Sequence, residues 1–147
     1  PAPEPPAGVF LGTVADYEAR RIEGGLPAMG AELDERTIPE ESGLVPTSVS
    51  FTKGCYTGQE LVARIESRGS NVPRRLRGVL AEEQLPVGTT LWTDREVGVV
   101  TSSAVSPRLG PVALAYVRRG VDPPAELEAR PDGGARTVRV QALPLGP

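Results

Sequence analysis

A single cysteine, Cys55, lies in the segment of the chain whose residue types could best do chemistry. The segment consists of Lys53, Gly54, Cys55, Tyr56, Thr57, Gly58, Gln59 and Glu60. Thr57 and Glu60 have the spacing of a capping box, which predicts a helix N-cap two residues after the thiol. Unpaired N–H groups at a helix start and the Lys53 ammonium both favour the thiolate, which is the form of cysteine that acts as a nucleophile or a metal ligand. Cys55, as a functional thiol, and Lys53 are therefore the candidate catalytic residues.

A lone cysteine is also compatible with a plain structural role as a small buried hydrophobic residue. Because Cys55 is the only cysteine and the chain has no histidine, an intrachain disulfide and a Cys/His metal site are both excluded. We expect no metal site within the chain. The absence of histidine also excludes Ser-His-Asp and Cys-His catalytic centres built from these residues.

The net charge of -3 provides no global basic field, so direct binding of nucleic acid is disfavoured. A local basic cluster does follow the predicted helix, at Arg68, Arg74, Arg75 and Arg77. It could contact phosphate, RNA or the glutamate tail of a folate. Alternatively, these arginines are the charges of an edge strand that deter aggregation.

No apolar run approaches the roughly 18 residues that cross a bilayer, and the first residues lack the pattern of a signal peptide. We therefore expect a cytoplasmic protein without a membrane partner. The chain begins with Pro1 rather than Met, which leaves open whether it is a fragment of a longer protein.

The elements that must position these residues follow from local patterns. Thr13 and Asp16 form a capping box and Gly24-Gly25 is a stop signal, which predicts a helix of about 10 residues between them. A second box at Thr37-Ile-Pro-Glu40 predicts a short helix ending near Gly43. Residues 45–51 have the composition of a short strand, and a further helix is predicted from Thr57 to Gly69.

From Arg74 onward the pattern is that of strands separated by Gly- and Pro-rich turns. Valine is abundant and aromatic residues make up only 4% of the chain, which also favours β structure. We expect five or six short strands forming a small antiparallel β-barrel, with Trp92 and Tyr116 in its core. The predicted fold class is α+β, with a proline-rich linker at residues 1–12, a helical and loop segment at 13–70, and the barrel at 71–147.

Several strings along the chain resemble motifs of a known family. The octapeptide from Lys53 to Glu60 resembles the K-G-C-[aromatic]-x-G-Q-E hallmark of the YgfZ family, folate-binding proteins related to the T protein, the aminomethyltransferase of the glycine cleavage system. Residues 21–35 resemble the R-[LI]-E-x-G-x-P-x-x-G-x-E-L-D-E stretch that both groups share, and residues 39–44 continue this resemblance. Residues 96–102, 106–110 and 113–117 resemble the G-x-V-T-S, S-P-x-L-G and A-L-A-Y-V strings of the family's C-terminal barrel.

The resemblance implies that the chain is the C-terminal part of a protein whose T-protein-like core binds tetrahydrofolate beside a β-barrel. Glu23 matches the glutamate that contacts the pterin ring in T proteins, and a carboxylate suits that role because it can accept two parallel N–H bonds. Glu23 is thus the candidate cofactor-binding residue. The alternative is an exposed glutamate in the last turn of a helix.

The resemblance further implies a role in assembling or repairing iron–sulfur clusters, with an indirect effect on tRNA modification and with Cys55 required. Its expected partners are folate, the iron–sulfur assembly machinery or client cluster enzymes, and the N-terminal part of the same protein. Two alternatives remain, a folate-dependent aminomethyltransferase and a non-enzymatic barrel interaction module. Whether the protein is an enzyme is open; if so, it is an aminomethyltransferase-like one-carbon transferase.

Overall fold

A computed structural model describes residues 6–9, 11–67 and 69–146 of the chain. Its helices are α1 (Val14–Glu23), α2 (Val45–Ser48) and α3 (Gln59–Ser67). The strands are β1 (Arg74–Leu80), β2 (Thr90–Trp92), β3 (Glu96–Ser106), β4 (Gly110–Arg118), β5 (Ala125–Arg130) and β6 (Arg136–Gln141). The architecture is α+β with a small C-terminal antiparallel barrel, which confirms the predicted fold class.

Helix α1 begins and ends where the local signals predict. The Thr13 hydroxyl accepts from the Asp16 N–H at 3.2 Å, and the Asp16 carboxylate accepts from the Thr13 N–H at 2.8 Å. At the other end, Gly25 takes a φ of +69°, and its N–H donates to the Ile22 carbonyl at 3.0 Å. Only a residue tolerant of the left-handed region ends a helix in this way without strain.

The six strands close into a barrel in the order β1-β4-β3-β2-β5-β6, and every pairing is antiparallel. Because successive strand residues face opposite sides, one set of side chains fills the interior and the other faces outward. The interior core contains residues from all six strands, including Val79, Leu91, Val100, Leu127 and Val140.

Helix α1 packs on the outer face of the barrel. Ala19 and Ile22 of α1 lie in a second core with Leu76, Leu114 and Tyr116 of β1 and β4. Strand β4 is therefore buried on both faces, which explains why its sequence is almost continuously apolar rather than alternating. Leu145 of the C-terminal segment completes this second core.

Two local predictions between the helices are wrong. Residues 37–43 form turns rather than a helix, because the Thr37 hydroxyl donates to Asp34 at 2.7 Å and the Glu40 carboxylate pairs with Arg75 at 2.9 Å. Neither side chain is left to cap a helix. Residues 45–51 do not form a strand; α2 begins there instead, with Pro46 in its first turn, where the missing N–H has no cost.

Strand β5 and the two aromatic residues also differ from expectation. The β5 sequence AELEAR has helix-favouring residues, yet it pairs with both β2 and β6 and completes the barrel. Tyr116 is buried, but in the core between α1 and the barrel rather than inside it. Trp92 is half-buried, with the Arg130 guanidinium 4.2 Å from its ring centroid.

Of the predicted linker 1–12, residues 1–5 and 10 lie outside the described residues. Among the described helices, none is both long and apolar enough to cross a membrane.

Candidate functional site

Cys55 is exposed, on the segment that joins α2 to α3 without regular secondary structure. The alternative of a buried structural cysteine is therefore wrong. Helix α3 begins at Gln59, after Gly58 with a φ of +84°, so the thiol lies four residues before the first helical residue. The Lys53 ammonium lies 5.1 Å from the centroid of the Tyr56 ring, the geometry of a cation–π contact.

The predicted capping box at the start of α3 is not formed. The Glu60 carboxylate accepts from the Arg64 guanidinium at 3.0 Å, one turn further along the helix, instead of returning to Thr57. Tyr56, Gly58 and the outer side of α3 border a shallow groove of about 730 Å³ beside the motif. The motif segment thus presents a thiol, a cation and a groove to solvent.

Glu23, at the C-terminal end of α1, is buried with only 4% of its surface exposed, so the alternative of an exposed glutamate is wrong. Its Oε1 accepts from the Ser106 hydroxyl, and its Oε2 accepts from Arg108 Nη2 at 2.9 Å and Arg20 Nη1 at 3.2 Å. Hydrogen bonds from Ser106 and Arg108 and the arginine charge outweigh burial and lower the pKa of Glu23. The carboxylate is an anion at neutral pH.

A second buried network, which the sequence analysis did not identify, lies beside the first. The Glu32 carboxylate accepts from Arg21 Nη1 at 3.0 Å, and Arg21 Nη2 donates to the Ser102 hydroxyl at 2.7 Å. Burial opposes the ionisation of Glu32, but hydrogen bonds from Ser102, a backbone N–H and a second hydroxyl outweigh it and lower its pKa. This network joins α1 and the turn at residues 28–33 to strand β3.

The two networks bring together three of the strings that carry the family resemblance. Arg21, Glu23 and Glu32 belong to the R-I-E-containing stretch, Ser102 ends the G-V-V-T-S string, and Ser106 begins S-P-R-L-G. A signal was present in the sequence, since the first of these strings carries both basic and acidic residues, and a serine stands at one end of each of the other two. Sequence spacing alone could not show that these strings meet.

The basic cluster is largely neutralised by neighbours. Arg74 pairs with Glu41 at 3.0 Å and lies over the Tyr116 ring, and Arg75 pairs with Glu40 at 2.9 Å. Burial and the Arg75 charge lower the pKa of Arg77. Arg68 lies outside the described residues. Within the described ranges, no group of three or more His, Cys, Asp or Glu could hold a metal ion.

Comparisons with known proteins identify relatives of the chain. Residues 74–145 match the glycine cleavage T-protein C-terminal barrel domain. The tRNA-modifying protein YgfZ of Escherichia coli (strain SMS-3-5) is 34% identical, and the match covers 91% of this chain and 43% of the relative. An uncharacterized protein of Haemophilus influenzae is 32% identical over 104 residues, which are 64% of this chain and 36% of that protein.

Among solved structures, the glycine cleavage system aminomethyltransferase T of Bartonella henselae superposes with a TM-score of 0.67 at 24% identity. The match covers 86% of this chain and 37% of that chain, and it shows a shared fold. The chain spans less than half the length of each of these relatives. It belongs to the YgfZ family and carries at residues 74–145 the C-terminal barrel domain that this family shares with the glycine cleavage T protein.

Proposed function

We propose that the chain is the C-terminal part of a folate-dependent factor that assembles or repairs iron–sulfur clusters, with an indirect effect on tRNA modification. The observation that carries this proposal is the exposed thiol of Cys55 within the Lys53–Glu60 motif. An exposed cysteine beside a lysine can reach a partner protein, whereas a buried one cannot. The Escherichia coli relative bears the name tRNA-modifying protein, which supports the tRNA part of the proposal.

The cluster is a substrate in this proposal rather than a resident group. Clusters are usually held by about four protein ligands, mostly thiolates, and this chain offers one cysteine and no histidine. Cys55 therefore acts as a transient or shared ligand, and a client enzyme or the assembly machinery supplies the others. The groove beside Tyr56 and α3 is the surface that such a partner would contact first.

The exposed side of α1 supports a second partner, the N-terminal part of the full-length protein. Val14 and Tyr17, one turn apart on α1, are 80% and 65% exposed, and Leu11 before the helix is 83% exposed. Apolar side chains on one helix face are more often covered than left in water.

We expect the full-length protein to act in the cytoplasm, without a membrane partner.

Tetrahydrofolate is the cofactor that the family implies, and Glu23 is the residue proposed to bind it. The surroundings of the Glu23 carboxylate decide whether it can accept a ligand. The chemistry is suitable, since the carboxylate is anionic and buried. Both carboxylate oxygens already accept hydrogen bonds, however: Oε1 accepts from Ser106, and Oε2 accepts from two arginines. A pterin does not fit at Glu23 while those arginines keep their places. Folate binding is therefore proposed for the full-length protein, and Glu23 contributes only after a rearrangement.

Replacement of the thiol tests the proposal. In a strain that depends on the gene encoding this chain, Cys55→Ser should lower the activities of iron–sulfur enzymes and the level of thiolated tRNA as much as deletion does. Glycine cleavage should be unaffected. The matched control is Thr57→Ala, an exposed change two residues away on the same segment, which should complement the deletion.

Both variants should accumulate to wild-type levels, because exposed substitutions away from buried contacts change stability by about 0.5 kcal/mol or less. Immunoblotting checks this point. Full complementation by Cys55→Ser would show that the thiol is dispensable and would overturn the proposed mechanism.

A further inference from the structure

The residues that follow β6 return to the outer face of the barrel. We call residues 142–146 the C-terminal strap. Its Leu145 side chain is buried in the second core, and its Leu143 side chain is half-buried against the same core. The strap therefore covers the contact between α1 and the barrel.

Two glycines leave the space that the strap fills. A Cβ at Gly78 of β1 would overlap the Leu145 side chain, and a Cβ at Gly25, just after α1, would lie 2.7 Å from the Leu143 Cβ. Carbon atoms that are not bonded pack at about 3.5–4.0 Å, so a larger residue at either position would push the strap outward. The strap thus fits closely against both the barrel and the end of α1.

The strap also completes the hydrogen bonding of α1. The last carbonyls of a helix have no partner within the helix itself. The carbonyl of Glu23, the last residue of α1, accepts from the Leu145 N–H at 2.7 Å. Leu145 therefore caps the helix with its backbone and fills the second core with its side chain.

The two cores are built from different elements. Among the described residues, the interior core contains none from α1 or from the strap, whereas the second core contains Ala19, Ile22 and Leu145 together. A unit whose apolar contacts lie on one side can open without unfolding the rest of a domain. Helix α1 and the strap form such a unit.

We propose that the C-terminal strap is a latch on α1, and that helix and strap separate together from β1 and β4 while the barrel interior stays folded. Opening uncovers Leu76 and Leu114 and breaks the hydrogen bonds of Arg21 and Glu23 to β3. The barrel can then change its position relative to α1. A partner on the exposed face of α1 stays with the helix; that this partner is the N-terminal part of the protein rests on the proposed function.

Hydrogen exchange of the 147-residue chain, followed by mass spectrometry, tests the latch. Leu145→Ala should speed the exchange of the α1 amides roughly 30-fold, because it removes a buried leucine from the contact that opening breaks. Leu127→Ala, a similarly buried leucine of the interior core, is the matched control. It should speed the exchange of the β5 amides and leave the α1 amides within about twofold of the wild type, because the contacts of Leu127 persist when α1 opens.

Either of two results would overturn the proposal. Equal acceleration of α1 and β5 by Leu127→Ala would mean that α1 opens only when the whole chain unfolds. Unchanged exchange of α1 in Leu145→Ala would mean that the strap does not hold the helix. If circular dichroism shows that a variant does not fold, a milder change in the same core replaces it, Leu143→Ala for the strap or Val138→Ala for the interior.

The measurement uses neither the Cys55 thiol nor a folate, so a negative result would leave the proposed function in place. Conversely, full complementation by Cys55→Ser would overturn the proposed mechanism and leave the latch intact.

Discussion

Replacement of Glu32 should destabilise the protein more than the loss of any single exposed ion pair. The Glu32 side chain has no exposed surface, and its carboxylate accepts four hydrogen bonds from α1, from its own turn and from strand β3. Glu32→Ala leaves the buried Arg21 guanidinium without one of its two carboxylate partners and leaves a cavity between α1 and the barrel.

The expected magnitude follows from burial. Breaking a buried pair by removing one partner costs about 3–5 kcal/mol, against a total stability of roughly 5–15 kcal/mol for a domain. For a chain of this length that loss corresponds to a fall in Tm of roughly 10–15 °C. Glu18→Ala is the matched control, because Glu18 pairs with the same Arg21 at 2.8 Å but is 37% exposed. Its loss should cost about 1 kcal/mol or less.

Urea unfolding followed by far-UV circular dichroism measures both losses in the same chain. The pH dependence gives a second check with Glu32→Gln. Because the folded-state pKa of Glu32 is lowered, its contribution is fully present above the unfolded-state value of about 4.3 and is lost as the pH falls through the lower folded value. The difference between wild type and Glu32→Gln should therefore shrink in acid. Equal losses for Glu32→Ala and Glu18→Ala would refute the reasoning.

Two further predictions concern the barrel. A fragment of residues 71–147 should unfold at a lower temperature than residues 13–147, because removing α1 exposes Leu76 and Leu114 of the second core. Calorimetry measures both Tm values, and equal values would show that α1 is dispensable. Gly98→Ala should cost roughly 1–3 kcal/mol, because a Cβ there would lie 2.7 Å from the Tyr116 carbonyl oxygen. Gly133→Ala meets only an arginine side-chain end at 3.6 Å, and it should be nearly neutral in the same urea titration.

Local patterns predicted those elements whose signals are satisfied within a few residues. The Thr13–Asp16 capping box and the Gly24-Gly25 stop lie within one helix, so the sequence alone identified α1 correctly. The second box, at Thr37, has the same pattern and fails, because Glu40 pairs with an arginine 35 residues away. A capping signal competes with tertiary partners that no local window contains.

Barrel closure illustrates the same limit. Five of the strands have β-favouring residues and were predicted, but β5 is a strand only because β2 and β6 pair with it. The burial of Glu23 and of the Arg21–Glu32 pair also depends on contacts with β3. These contacts join Arg21 and Glu23 to residues that lie 80 or more positions further along the chain. Residue types identified Glu23 as a candidate binding residue, and only the fold identified its hydrogen-bond partners.

The motif residues divide physically into two classes, and this division makes their roles separable. Arg21, Glu32 and Ser102 are buried in networks that join α1 to the barrel, so changes there act first on stability. Cys55 and Lys53 are exposed and contribute to neither core, so changes there leave stability nearly intact. A loss of function in Cys55→Ser at normal protein level must therefore come from chemistry at the sulfur, whereas the same loss in Arg21→Ala would accompany a loss of folded protein.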